Sequence, residues 1–375
     1  MLEFGLRILG ISYPNFYMAD ELRGLALRPG AEGWYREEGE AYIQINSAGF
    51  RDREHAKPKP PNMVRIAVLG DSYAEALQVP VEQTFWGAME RELQECNALG
   101  AREIEVLNFG VSGYGTAQEL ITLRHYVWDF SPDIVLLAFV TGNDISDNSP
   151  ELKQSEYVPY FYYQNDELIL DRSYLETDEY RLRASWIPRV LDYSRVFQVM
   201  NRARYSIRTE IGRWKAAEAV RAAAAALENE ELGISSTIYL EPMDPIWAEA
   251  WHVSEGLLGL MMAEVAQQGA SFLVVTMSNG IQVHPDPSVR KSFMETHGIA
   301  DLFYPDLRIK ALGEREGFEV LNLARNMQAY AEEYQVVLHG FENTTPGEGH
   351  WNAEGHRVAG QMIAQHVCET LLAAK

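Results

Sequence analysis

Val64-Arg-Ile-Ala-Val-Leu-Gly70-Asp-Ser72 is a short run rich in branched residues that ends on glycine and then presents a hydroxyl. A continuous apolar run of this length suits a strand buried on both faces of a parallel sheet. Runs of the same character follow at Ile104 to Asn108, Asp133 to Val140, Ser271 to Thr276 and Phe318 to Leu323. Helical patterns separate them, at Thr84 to Ala98, Thr116 to Asp129, Val253 to Gln268 and Asp306 to Glu316. Strands alternating with helices imply right-handed crossovers, so the expected fold class is α/β, a three-layer α/β/α doubly wound parallel sheet.

Outward from these strands the chain changes character twice. Residues 1–62, rich in Gly, Tyr and charge, close on Lys57-Pro-Lys-Pro-Pro61, whose prolines favour extended backbone and a boundary. They read as an N-terminal extension with short strands, such as Ala41 to Ile45. Between the third and fourth strands lie roughly a hundred residues, where about 2 to 6 would serve as a connecting loop. This stretch, 151–251, is expected to be an inserted cap on a core formed by 63–150 and 252–375. Within it, Tyr157 to Asp171 reads as a hairpin turning at Asn165-Asp166, and Arg204 to Leu232 contains an Ala-rich helix through Ala222 to Ala226. The aromatic residues of Tyr157 to Tyr163 and of Trp247 to Trp251 either fill the core of that module or form a sugar- or acyl-binding wall.

Composition narrows the function. The 375 residues exceed one average domain, and 47% hydrophobic with 23% charged residues are ordinary globular values. A formal net charge of -22 repels phosphate backbones and argues against a nucleic-acid partner. The same charge disfavours anionic lipid, although a local basic patch can override the global sign. Cys96 and Cys368 are far apart and outside any Cys-x-x-Cys spacing, so two buried free thiols are expected. No transmembrane segment is predicted, since no run of about 18 apolar residues exists. Met1 to Pro14 lacks the full apolar region and cleavage site of a signal peptide. The sequence leaves the compartment open between the cytoplasm and, with an anchor upstream of this start, the cell envelope or periplasm. His350 and His356 would stand about 240° apart around a helix, and His284 and His297 share no ligand spacing, so no metal and no cofactor is predicted.

Four short motifs carry the chemistry. Gly70-Asp-Ser72 lies beyond the carboxyl end of the first core strand, where open α/β sheets bind ligands, and by itself reads equally as turn and N-cap chemistry. Asn108-Phe-Gly-Val-Ser-Gly113 follows the second, and its glycine either lets a backbone N–H approach a reacting oxygen or merely permits a turn. Gly142-Asn143-Asp144 follows the third and either offers a side-chain amide donor to a developing oxyanion or is a loop asparagine held by local hydrogen bonds. Glu348-Gly-His350-Trp-Asn352 precedes the last helix and supplies the base that a serine hydroxyl needs.

In this order and placement the four motifs resemble the blocks of the SGNH hydrolases, the GDSL-like lipases and esterases. The resemblance covers 64–144 and 255–375, and the cap lies outside it. It implies the flavodoxin-like three-layer fold, Ser72 as nucleophile, His350 as base, and an oxyanion hole from the Ser72 and Gly113 N–H groups and the Asn143 amide. The stretch Asn46-Ser-Ala-Gly-Phe-Arg-Asp-Arg53 is similar to bacterial members with N-terminal extensions. One departure stands out: where the family places Asp, three residues before the base, this chain has Gly347. Glu348 is the nearest carboxylate and the expected orienter of the imidazole, the alternative being a solvated loop charge beside a Ser-His dyad. The implied activity is hydrolysis of short-acyl or acetyl carboxylic esters, with a small molecule or a glycan as the alcohol part. The rival readings are an O-acetyltransferase using the same residues and a catalytically inactive binding protein.

Overall fold

A computed structural model describes residues 1–204 and 234–373; the Ala222 to Ala226 run lies outside the described residues. Four short strands lead the chain as two antiparallel hairpins, β1 (Tyr17–Asp20) with β2 (Gly24–Leu27) and β3 (Glu32–Tyr35) with β4 (Ala41–Gln44). The central sheet is parallel throughout and begins with β5 (Met63–Gly70), β6 (Glu103–Asn108) and β7 (Ile134–Val140). A separate hairpin of β8 (Tyr160–Gln164) and β9 (Glu167–Asp171) turns at Asn165 and Asp166, both at positive φ, as the polar turn pair requires. The sheet then resumes with β10 (Ser271–Met277) and β11 (Glu319–Asn322).

The strand order β6-β5-β7-β10-β11 corresponds to 2-1-3-4-5 counted along the chain, the flavodoxin-like doubly wound order. Helices cover both faces, which is why β7 is buried at every residue and β5 at all but its first. One face packs against the helices Thr116–His125, Pro245–Gln267 and Tyr304–Glu316, and the other against Phe85–Gln94, Ala324–Tyr334 and Ala353–His366. Trp251 is buried on the first face and Trp86 and Trp351 on the second. Each such large apolar side chain contributes on the order of 2–3 kcal/mol by leaving water.

Three features differ from the sequence expectations. Cys96 and Cys368 are joined in a disulfide across 272 residues rather than standing as free thiols. Helix Ala353–His366 packs on Phe85–Gln94, so the segments that follow both helices meet, with a Cα separation of 5.9 Å. The helix expected from Val253 starts at Pro245, capped by Asp244, whose carboxylate accepts from the Ile246 N–H at 2.8 Å. It therefore runs across the expected 251/252 division, and Trp251 on it is core. The N-terminal strands are also more than an appendage, because Phe16, Leu27, Ile43 and Phe50 pack into the same apolar cluster as the sheet.

Candidate active site

Ser72 opens a single helical turn, Ser72–Glu75, at the carboxyl end of β5. Asp71 caps it, one carboxylate oxygen accepting from the Tyr73 N–H at 2.9 Å. The other accepts from the Asn143 side-chain amide at 2.8 Å, which aims that amide across the strand end. Asn143 is held there in turn, because Asp144 beside it accepts from the Val140 N–H at 2.7 Å and closes the turn after β7. Asp71 is fully buried and burial raises its pKa, against hydrogen bonds that favour its charge.

The far end of the serine turn is fastened by the N-terminal extension. Asn46 closes a tight loop by accepting from the Ala48 and Phe50 N–H groups at 3.1 and 2.9 Å. The loop delivers Arg51, a buried guanidinium that donates to the carbonyls of Glu75 at 2.8 Å, of Ala76, and of Val79 at 2.5 Å. The first two stand at the end of the Ser72–Glu75 turn, where a short helix leaves carbonyls without intrahelical partners, and the third lies just beyond it. The Glu75 carboxylate accepts from the Tyr17 hydroxyl of β1 at 2.9 Å and from the Ser112 N–H, tying the serine turn to the loop that carries Gly113.

His350 approaches from the opposite end of the chain. Its Nε2 lies 2.8 Å from Ser72 Oγ. Its Nδ1 is hydrogen-bonded to the carboxylate of Glu38, at the tip of the β3–β4 hairpin, and the other oxygen of that carboxylate accepts from the His350 backbone N–H at 2.9 Å. One carboxylate thus grips both the ring and the main chain of the same residue. Gly349 permits this approach: its φ is +79°, and a Cβ there would sit 2.5 Å from Glu38 Oε1. The hairpin tip is docked by Asn343, whose side chain accepts from the Gly39 N–H at 2.9 Å and donates to the Gly39 carbonyl at 3.1 Å. Behind the ring, the Gly349 carbonyl accepts from the Tyr73 hydroxyl at 3.1 Å and pairs with Nδ1 of buried His339 at 2.7 Å. Burial depresses the His339 pKa to about 4, so this imidazole stays neutral at neutral pH. Asn352 then starts the last helix by accepting from the Glu354 and Gly355 N–H groups, both at 3.0 Å.

The electrostatics of the pair follow from its geometry. Burial pushes the Glu38 carboxyl up, but its hydrogen bonds to His350 and the charge of the ring outweigh this and hold it below the usual carboxylate value. Burial pushes the His350 imidazole down, and the Glu38 hydrogen bond and charge overcome it, leaving the ring above its ordinary 6.5. A hydroxyl bonded to an imidazole that is itself bonded to a carboxylate can lose its proton to the ring as it attacks.

Ser72, Gly113, Asn143 and His350, the residues singled out from sequence, all line one cavity of about 810 Å³. Glu348 is not brought onto the imidazole. It is half-buried, burial raises its pKa, and the bond expected of it is made by Glu38. Gly347 has φ +93°, a conformation that disfavours an aspartate at that position. Glu38 itself escaped sequence reasoning because Arg36-Glu37-Glu38-Gly39-Glu40 reads as a solvated charge run. The rest of the cavity wall comes from Tyr13, Trp34 and Tyr35 of the N-terminal extension and from Leu182, Ile187 and Leu191 of the segment after β9.

No protein-family description matches the chain, and no curated protein does. Solved structures do align with it. An acetyl xylan esterase shares 13% identity over 80% of this chain and 99% of its own, with a TM-score of 0.37. An acetylxylan esterase from Geobacillus stearothermophilus, solved as a catalytic mutant, shares 10% over 81% of this chain and 94% of its own, with a TM-score of 0.39. A lipase/acylhydrolase from Enterococcus faecalis shares 13% over 82% of this chain and 96% of its own, with a TM-score of 0.37.

Proposed function

We propose that the chain is a serine ester hydrolase of the SGNH type that works through an acyl-enzyme, with Ser72 as nucleophile, His350 as general base and Glu38 as the acid that orients it. The observation that carries this reading is the continuous relay from Ser72 Oγ through both nitrogens of His350 to the Glu38 carboxylate. Ser72 attacks an ester carbonyl while His350 Nε2 takes its proton. Glu38 selects the tautomer that leaves Nε2 able to accept, and stabilises the imidazolium that forms. The tetrahedral oxyanion sits among the Ser72 and Gly113 N–H groups and the Asn143 amide, the last pre-aimed by Asp71. His350 returns the proton to the leaving alcohol, and water activated by the same ring then releases the acid.

The Glu38 contact argues against an inactive binding protein, since it fills the role left open by Gly347. A cavity of about 810 Å³ is far larger than an acetyl group needs and has room for an acylated saccharide. Its aromatic wall, including Trp34 and Tyr35, suits the face of a sugar ring as well as an acyl chain.

The test is labelling with a fluorophosphonate together with hydrolysis of an ester series from acetyl to long acyl. Wild type is expected to label at Ser72 and to hydrolyse esters, and Ser72→Ala to do neither while keeping its circular dichroism. Absence of labelling in the folded wild type would end the proposal. Faster deacylation with added sugar acceptor, and acylated sugar as the product, would assign the same site to acyl transfer.

A further inference from the structure

The exposed apolar residues of this protein are not scattered. Phe4 and Leu9, 69% and 73% exposed, belong to the N-terminal helix Leu2–Ile8 and the residue after it. Trp186 and Val190, 70% and 55% exposed, lie just before and within the helix Ile187–Tyr193. The two groups are fastened together. The Glu3 carboxylate accepts from the Arg195 and Val196 N–H groups at 3.1 and 3.0 Å, and the Arg7 guanidinium donates to the Tyr193 carbonyl at 2.6 Å. They therefore form one apolar face rather than two frayed ends.

The segment that carries Trp186 and Val190 is locally basic, although Arg183 is paired with Glu179 and Arg202 with Glu37. Residues 181–204 hold six arginines against a single acidic residue, Asp192, in a chain whose net charge is -22. Trp, Phe and branched aliphatics beside arginines are the composition of surfaces that lie in a lipid interface, where apolar groups enter the acyl boundary and cations meet anionic headgroups. We propose that this face docks the protein on an anionic lipid bilayer. A protein partner would need pockets shaped to Trp186 and Phe4 with acidic groups placed opposite the arginines, whereas an anionic bilayer takes up both without shape complementarity. Leu182, Ile187 and Leu191 of the same segment line the cavity that holds Ser72, so docking brings that cavity close to the membrane. The Cys96–Cys368 disulfide suits such a setting, because these bonds persist outside the reducing cytosol. Docking goes beyond ester hydrolysis and does not depend on it.

The experiment is co-sedimentation of the full chain with vesicles of phosphatidylcholine alone and of an equal mixture of phosphatidylcholine and phosphatidylglycerol. Hydrolysis of a soluble short ester and light scattering are measured alongside. Binding to the mixed vesicles is expected to exceed that to phosphatidylcholine by about tenfold or more and to weaken as salt is raised. The double variant Phe4→Ser with Trp186→Ser should lose about tenfold or more of it. Arg181→Ser should lose about fivefold. Both variants alter exposed residues outside the cavity lining and should leave soluble-ester turnover and the circular dichroism unchanged. No binding to the mixed vesicles, or binding that the double variant leaves intact, overturns the proposal. A wild-type dimer that the double variant dissolves would also overturn it, assigning the face to a second copy of the chain.

Discussion

The serine turn and the β3–β4 hairpin both bring side chains to His350, yet they are held in different ways. The serine turn grows out of a fully packed parallel strand and is fastened by Asp71 and Asn143 on one side and by Arg51 on the other. The hairpin buries one side of β4, including Ile43, in the core, but its tip is held only locally, by Asn343 and by the grip of Glu38 on His350. The acid is thus supplied by a module docked onto a site whose other parts are built into the sheet. Loss of a strand-end residue should remove a chemical group and little else, whereas loss of a docking contact should leave every group present but loosely placed.

Substitutions on the two elements test this contrast. The largest effect is expected from Glu38→Gln, which keeps the shape but holds the wrong tautomer of His350; kcat should fall by about 10⁴-fold. The pH dependence of kcat/KM reports the same residue. Wild type requires neutral His350, whose pKa is raised above 6.5, so activity should be lost on the acid side of a midpoint above that value. In Glu38→Gln the two largest raising interactions disappear while burial, which lowers the pKa, and the weaker raising charges of Asp71 and Glu75 remain, so the midpoint should move to lower pH. An unchanged profile would mean that Glu38 does not contact the working base.

Asn143→Ala comes next, with an expected loss of about 10²-fold in kcat and little change in KM, the usual cost of one oxyanion-hole donor. A change confined to KM would make Asn143 a substrate-binding residue instead. Asn343→Ala leaves all reacting groups in place and only frees the hairpin tip. A loss of about tenfold in kcat is expected, without the shift in pH profile, because small misplacements of a catalytic group are costly. If it matched Glu38→Gln, the hairpin would depend on Asn343 entirely. Glu348→Gln, on the loop beside His350, should change kcat by less than about twofold, since surface changes away from reacting groups have small effects. A loss approaching that of Glu38→Gln would return the orienting role to Glu348.

The residues legible in the sequence share one property: each stands at the border of a regular run, His350 just before the last helix and the others just after a strand. Ser72, Gly113 and Asn143 follow β-branched runs, and strand ends of a parallel sheet converge by construction, so reading the strands located the residues. The β8–β9 hairpin was legible for a similar reason, because Asn165-Asp166 names its own turn geometry. Glu38 and the Cys96–Cys368 pair were not legible, since each depends on a contact between distant parts of the chain that no local pattern records. Gly349 was a faint pointer to such a contact, but its need for positive φ shows only once Glu38 is beside it. The start of the helix at Pro245 was readable from Asp244-Pro245, a cap followed by the residue preferred in a first turn, and was hidden by the expectation that aromatic Trp247 to Trp251 belonged to a separate module.

The contact between Glu38 and His350 also has a meaning in time. Synthesis proceeds from the amino end, so Glu38 and Ser72 are made well before His350. Until residue 350 has been made and folded against the hairpin, Ser72 is an ordinary alcohol. Under the proposed mechanism a chain still lacking that residue is therefore silent, and its reactivity begins only when two segments made far apart in time have met.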